Sequence, residues 1–197
     1  MNAAEKKVEI ACQQVLKNDA SVFSIQWTIL PARHAATLTP RFLLERYLAY
    51  LRRFTLSLVR PVETADGLEF RILSTKMSLL NFAAPEFSTQ GVVRFASLRI
   101  CSGLFLQKEF CNNGKFSFMT ETISGGVKVT LQLSDYFPRL LGSSTPSLPR
   151  KWLYRLTQAL IHRIVTVRFL ARLYRELEGD EICFRTVKVR VQNGEDI

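Results

Sequence analysis

The sequence is poor in the residues from which many catalytic sites are built. It has only two histidines, His34 and His162, in 197 residues. Nucleophilic catalysis needs a serine or cysteine beside a base that a third group orients. His34 lies in a predicted loop and His162 on the predicted polar face of a helix, so we expect both side chains at the surface. No G-x-S-x-G segment and no G-x-x-x-x-G-K-[ST] or G-x-G-x-x-G loop occurs, and we expect a protein without catalytic residues.

Cysteine is also sparse, and its spacing argues against a metal site. Cys12, Cys101, Cys111 and Cys183 form no C-x-x-C pair and have no histidine at metal-ligand spacing. The sequence therefore predicts neither zinc nor any other cofactor. The first ten residues lack an apolar run typical of a signal peptide, and no uncharged apolar stretch reaches the ~18 residues of a membrane-spanning helix. Free thiols are typical of a reducing compartment, so we expect a cytoplasmic protein.

Acidic residues are outnumbered by basic ones. The chain has 17 Asp and Glu against 27 Lys and Arg, which gives a formal net charge of +10. A basic surface favours anionic partners. The charge is spread along the chain, and the aromatic residues nearest to it are phenylalanines of alternating strands, which are usually core residues. This pattern disfavours nucleic acid and leaves an anionic membrane surface or an acidic protein open.

What the chain does have is apolar residues: 47% of the total, including 14 phenylalanines. At this length, that content supports one sizeable core. The longest periodic pattern of apolar residues is at 150–178, and Pro149 and Gly179 on either side of it are typical helix boundaries. Apolar residues there recur every three or four positions, which predicts a single helix of roughly 43 Å with one face on a sheet. This predicted apolar stripe consists of Leu153, Leu156, Leu160, Ile164, Val167, Ala171 and Tyr174.

One charged residue, Arg163, falls inside the predicted apolar stripe. Its aliphatic stem could lie on apolar surface while the guanidinium reaches water. Alternatively, the guanidinium could point into a pocket and pair with an acid or an anionic ligand. The sequence leaves both interpretations open.

The other elements are predicted from local patterns. Residues 1–20 are expected to be a helical extension, with the helix at 3–17, and 22–30 alternates like a half-buried strand. Thr39-Pro40 is a typical start for a helix that runs to about residue 53. Alternating segments between turn signals over 54–133 predict an antiparallel meander, with a loop at 85–91 and strands at 104–110, 115–123 and 127–133. A main domain at 21–179 is expected, followed by a C-terminal strand and tail at 180–197.

This order of elements resembles a known superfamily. A strand, a helix, a run of antiparallel strands and a long C-terminal helix, with the segment FSFMTETISGGVKVTLQLSDYFPRLLG leading into that helix, look like the START or Bet v 1-like (SRPBCC, polyketide cyclase-like) proteins over residues 22–178. The resemblance implies an α+β helix-grip fold, in which a curved antiparallel sheet wraps around the helix and encloses a cavity for an apolar ligand. Members bind lipids, sterols, hormones or aromatic polyketides, and some are enzymes. The predicted N-terminal helix and final strand depart from the plain pattern.

Two functional hypotheses follow. The first is non-catalytic binding of an apolar or amphipathic, lipid-like small molecule between the sheet and the helix, with Arg163 holding an anionic head group. Its expected lining is Phe116, Phe118, Val129, Leu131, Leu160, Ile164 and Val167. The second is a basic interaction module that docks on an anionic membrane surface or an acidic partner. The objection to membrane docking is that the apolar face of the helix at 150–178 cannot pack on the sheet and bind a membrane at the same time. An enzymatic role stays open only through the cyclases of the superfamily, and no oligomeric state is predicted.

Overall fold

The structure, a computed structural model, describes residues 6–142, 146–179 and 181–197. The strands in this part of the chain are β1 (Lys6–Leu16), β2 (Val22–Leu30), β3 (Val59–Thr64), β4 (Gly67–Ile72), β5 (Ser78–Ala83), β6 (Glu86–Gln90), β7 (Val93–Ser102), β8 (Lys115–Ile123), β9 (Gly126–Tyr136), β10 (Ile182–Lys188) and β11 (Glu195–Asp196). The helices are α1 (Pro40–Phe54), α2 (Leu148–Tyr154) and α3 (Leu160–Glu178), and a π-helical turn, Arg155–Ala159, joins α2 to α3.

All eleven strands belong to one sheet. Its order is β10-β1-β2-β9-β8-β7-β5-β4-β3, while β6 pairs with β7 and β11 pairs with β1. Every pairing is antiparallel except that of β1 with β10. Register shifts interrupt the β2–β9, β4–β5 and β5–β7 pairings, and such irregularities bend strands. The predicted α+β fold, an antiparallel sheet gripping a long C-terminal helix, is confirmed.

Elements with strong local signals form as predicted. The β8–β9 hairpin pairs from Lys115↔Ser134 to Ile123↔Gly126 without a register shift. Thr39 is the N-cap of α1, and its Oγ1 accepts a hydrogen bond from the Phe42 amide at 3.1 Å. This bond satisfies one of the amides that have no partner within the helix.

The predicted N-terminal helix is wrong over the residues that the structure describes. Lys6–Leu16 is strand β1, which lies between β2 and β10. Val8, Ile10 and Cys12 are spaced two apart as well as at near-helical intervals, so the pattern alone is ambiguous. The segment is a strand because it pairs with other strands along both of its edges. One of these pairs joins Lys6 to Ile182, which lies more than 170 residues away in sequence.

Three boundaries in the meander also differ from prediction. The expected loop at 85–91 contains β6, a fully exposed edge strand. The expected strand at 104–110 is irregular: Leu106 forms an isolated bridge with Pro138, and Lys108–Phe110 is a 3-10 turn. Strand β3 starts only at Val59, because α1 continues to Phe54 and a turn follows it.

The C-terminal helix is continuous over 148–178, but its buried face is not the predicted stripe. Leu153, Leu156, Leu160 and Ile164 of that stripe are exposed. The helix has two apolar rows on opposite sides, and the predicted stripe follows the one that faces solvent. Within α3 alone, Leu160 and Ile164 already lie opposite Phe169 at about 100° per residue. The residues that do face the core are Tyr154, Ala159, Val165, Thr166, Phe169, Leu170, Leu173 and Tyr174.

A buried polar contact ties the π-helical turn to the sheet. Gln14 of β1 donates from Nε2 to the Ala159 carbonyl oxygen over 3.2 Å. Beside it on β2, Gln26 donates to Ser24 Oγ at 2.7 Å, and both side chains are buried although the sequence pattern placed them on the polar face. The π-helical turn thus lies over buried polar side chains of β1 and β2.

The β8–β9 turn provides a matched test of the backbone geometry. Gly126 has φ +144°, and a Cβ there would lie 2.1 Å from the Leu30 carbonyl oxygen, whereas a Cβ on its neighbour Gly125 meets no atom within 4 Å. We expect Gly126→Ala to lower the free energy of unfolding by at least about 2 kcal/mol, measured by urea denaturation. Gly125→Ala should change it by less than about 0.5 kcal/mol, and equal effects would contradict this geometry.

Candidate functional site

A cavity lies between the sheet and the first half of the C-terminal helix. Its volume is about 840 Å³ and it opens to solvent, which is within the usual range for small-molecule sites. Its walls come from α1, from strands β3–β5 and β7–β9, and from residues 148–165 of the helix. Most of its lining is apolar: Tyr47, Leu51, Val59, Phe70, Leu79, Leu80, Phe82, Ile100, Leu104, Phe105, Phe116, Leu133, Leu140, Leu153, Ile161 and Val165.

The cavity ends where aromatic side chains fill the space between helix and sheet. Tyr47 of α1 makes edge-to-face contacts with Phe116, Phe118 and Phe169, with ring centroids 5.2–5.3 Å apart. Phe169 belongs to the C-terminal half of the helix, which is packed against this cluster. Toward the N-terminus of the helix, the inward positions are instead Tyr154, Gln158 and His162, and there the space is open.

Two side chains in the wall of this apolar cavity carry buried polar atoms without a partner. Both amide atoms of Gln158 and Nε2 of His162 are buried, and none of them has a hydrogen-bond partner among the described residues. A buried polar group without a partner costs about 1–3 kcal/mol. Three such atoms on adjacent turns therefore indicate a position for a bound molecule that can hydrogen-bond. Gln158 lies in the π-helical turn, a feature that is frequent at functional sites.

His162 is uncharged in this environment. Burial lowers its pKa from the ordinary 6.5 to about 4, so the imidazole is neutral at pH 7. A neutral imidazole offers one donor and one acceptor, and a carboxamide offers both. None of the described residues that line the cavity is acidic. The pair therefore suits an uncharged hydroxyl or carbonyl group.

Four other polar residues of the cavity are either already paired or at its mouth. The Tyr136 hydroxyl donates to the Phe105 carbonyl oxygen at 2.8 Å, and the Thr157 hydroxyl donates to the Leu153 carbonyl oxygen at 2.6 Å. Arg139 and Arg150 line the cavity but are exposed, so their guanidinium groups stay hydrated. Gln158 and His162 thus carry the buried polar atoms without a partner, and Tyr47 and Tyr154 add two hydroxyl groups to the lining.

The structure does not bring the predicted lining residues together around this cavity. Phe116 lines it. Phe118, Val129 and Leu131 are fully buried in the packed core, and Val167 is half-buried against it. Leu160, Ile164 and Arg163 face outward. Arg163 instead borders a separate depression of about 240 Å³, which it shares with Cys12 and Lys188.

Sequence reasoning missed the polar pair and misplaced both histidines. His162 was expected in solvent but faces the cavity. His34 was also expected at the surface, yet its Nε2 lies 2.6 Å from Glu178 Oε1, and Arg33 pairs with the same carboxylate. This cluster connects the β2–α1 loop to the end of α3. The only sequence signal for the site was the four-residue spacing of Tyr154, Gln158 and His162.

Other types of site receive no support from the residues described. No group of three His, Cys, Asp or Glu side chains in this part of the chain is arranged to hold a metal ion. The four cysteines are all free thiols. Among the described helices, none is long and apolar enough to cross a membrane.

The topology defines the architectural class as helix-grip: β2-β9-β8-β7-β5-β4-β3 in order, with the C-terminal helix across them. No protein-family model matches the chain, and no curated protein matches it. A similar solved structure is the crystal structure of CalU16 from Micromonospora echinospora, with a TM-score of 0.36 and 12% sequence identity, covering 88% of this chain and 85% of that one. At this TM-score, the likeness says nothing about a ligand or an activity of the present chain.

The burial of neutral His162 predicts a specific pH dependence of stability. Its pKa is about 4 in the folded protein against 6.5 ordinarily, so the unfolded chain binds the proton more readily between these values. Wild-type stability should therefore fall as the pH drops through this window, by about 1–2 kcal/mol between pH 7 and pH 5. His162→Leu should lack this contribution. The check is urea unfolding of both proteins at each pH; parallel pH profiles would contradict the burial of a neutral imidazole.

Proposed function

We propose that this protein binds an apolar small molecule that carries an uncharged hydrogen-bonding group, in the cavity between the sheet and residues 148–165. One observation carries the proposal: an apolar cavity of about 840 Å³ is lined by Gln158 and His162, whose buried polar atoms have no partner among the described residues. Binding sites for small molecules typically combine apolar walls with a few convergent polar groups.

The two kinds of lining have different energetic roles. Burial of apolar ligand surface contributes about 25 cal/mol per Å², so 200 Å² is worth roughly 5 kcal/mol before the cost of association. One neutral hydrogen bond adds about 0.5–1.5 kcal/mol. The walls therefore supply most of the affinity, whereas Gln158 and His162 select the position and chemistry of the polar group.

Binding is better supported than catalysis. A histidine acts as a base beside a nucleophile when a third group orients it. Among the residues that the structure describes, no serine, cysteine or carboxylate lines the cavity with His162, and the Thr157 hydroxyl is engaged by the Leu153 carbonyl oxygen. The groups around His162 can hold a molecule, but they offer no activated nucleophile.

The lipid-like ligand and the relation to START or Bet v 1-like proteins are part of this proposal. Element order and the position of the cavity support the relation, while β1 and its parallel partner β10 are additions to the plain pattern. An amphipathic ligand with a charged end would leave that end at the mouth, beside Arg139 and Arg150. Arg163 does not line the cavity and is not given this role.

Filling the cavity should weaken binding. The double variant Leu80→Trp/Leu153→Trp adds two indole groups to the lining, and we expect at least about tenfold weaker binding of N-phenyl-1-naphthylamine, an uncharged fluorescent probe, because the space and the apolar contacts are lost. The control, Leu58→Trp/Met77→Trp, changes exposed residues away from the cavity and should bind like wild type. Fluorescence titration measures both, and equal affinities would contradict the proposal.

The polar pair should discriminate between ligands of equal shape. We expect wild-type protein to prefer 9-fluorenone to fluorene, which lacks the carbonyl, by about three- to tenfold, the worth of one hydrogen bond. Gln158→Leu should remove most of that preference. Thr157→Val, in the same π-helical turn, should keep it because the Thr157 hydroxyl is already paired. The measurement is competition against the naphthylamine probe; a preference that survives in Gln158→Leu would exclude Gln158 as the selecting group.

A further inference from the structure

The outward side of the C-terminal helix carries a second apolar row. Its members are spaced four apart and are 36% to 72% exposed. At about 1.5 Å per residue the row is ~24 Å long. Exposed apolar patches that are contiguous mark interaction or membrane-binding surfaces. We call this the outer row; it consists of Leu148, Trp152, Leu156, Leu160 and Ile164.

Basic side chains border the outer row along its length. Lys151, Arg155 and Arg163 each precede a member of the row, and the row itself continues into Arg168. Lys151 and Arg155 share one acid, Glu195, at 2.9 and 2.6 Å. This apolar strip is therefore embedded in a surface of net positive charge, on a chain whose net charge is +10.

We propose that the outer row is a docking surface for an anionic lipid bilayer. A helix that lies in a membrane interface has an apolar face, flanking Lys and Arg, and often tryptophan at the boundary. Trp152, 58% exposed, lies within the outer row. The basic flanks would meet lipid phosphates and carboxylates, while the leucines enter the boundary between head groups and acyl chains. No part of the chain crosses the membrane in this arrangement.

A second copy of the chain fits this surface less well. A twofold contact places the same patch of both subunits face to face. The flanking Lys151, Arg155 and Arg163 of the two copies would then be brought close together, and like charges across an interface disfavour association. An anionic bilayer complements the same groups.

The structure removes the main objection to membrane docking. The sheet uses the inward row of the helix, including Val165, Phe169 and Leu173, so the outer row is not needed for folding. Docking also places the cavity mouth near the bilayer, because Leu153 and Ile161 are neighbours of the outer row and line the cavity. The docking surface goes beyond the proposed ligand binding and does not depend on it.

Vesicle co-sedimentation tests this surface. Wild-type protein should bind phosphatidylcholine vesicles containing about 30% phosphatidylserine and bind pure phosphatidylcholine at least tenfold more weakly. Salt at about 0.5 M should release it by screening. Trp152→Ser/Leu156→Ser should reduce partitioning at least tenfold. The control Leu56→Ser/Val191→Ser changes exposed apolar residues outside the outer row and should bind like wild type.

Three results would overturn the proposal. The first is that the two double variants bind anionic vesicles equally well, and the second is that wild-type protein binds both kinds of vesicle equally well. The third is that wild-type protein binds no vesicles but forms a dimer, seen by light scattering, which Trp152→Ser/Leu156→Ser dissociates. Circular dichroism and the urea midpoint verify that each variant is folded. Neither Trp152 nor Leu156 lines the cavity, so probe binding in this variant reports the ligand site separately from the docking surface.

Discussion

The contact between the C-terminal half of the long helix and the centre of the sheet determines the rest of the molecule. Tyr47 of α1 lies within this contact and packs against Phe116 and Phe118 of β8 and Phe169 of α3. Each edge-to-face pair adds about 0.5–1.5 kcal/mol to the burial of its rings. Because this end is filled, the helix direction is fixed. Its N-terminal half is then held across the sheet over space that side chains do not fill.

The C-terminal helix has apolar residues on the side that faces the core and on the side that faces solvent. Its inward row packs on the sheet, and its outer row is apolar yet exposed. The π-helical turn lies between α2 and α3, and Gln14 of β1 donates a hydrogen bond to its Ala159 carbonyl oxygen. Residues two apart on a helix point to nearly opposite sides at about 100° per residue, so Gln158 and His162 face the cavity while Leu156 and Leu160 face out.

The limits of sequence-based prediction here are physical. The β8–β9 hairpin and the Thr39 cap were predictable because their determinants lie within a few residues of each other. Strand β1 was not, because its identity depends on pairing with Ile182 and its neighbours at the far end of the chain. His162 was assigned to solvent because the predicted stripe followed the apolar row on the opposite side of the helix. A cavity is an absence of contacts, and no residue pattern encodes it directly.

Charge divides the molecule into two regions that would respond differently to solution conditions. Inside, the polar groups of the cavity wall include the Gln158 carboxamide and the His162 imidazole. Burial lowers the pKa of the imidazole to about 4, so both groups are neutral at pH 7. Outside, Lys151, Arg155 and Arg163 are charged and lie at or near the surface. Salt screens charges in water but hardly affects a neutral hydrogen bond in an apolar cavity. The ligand selection and the membrane attraction that we propose therefore rest on separate interactions, and each can change without the other.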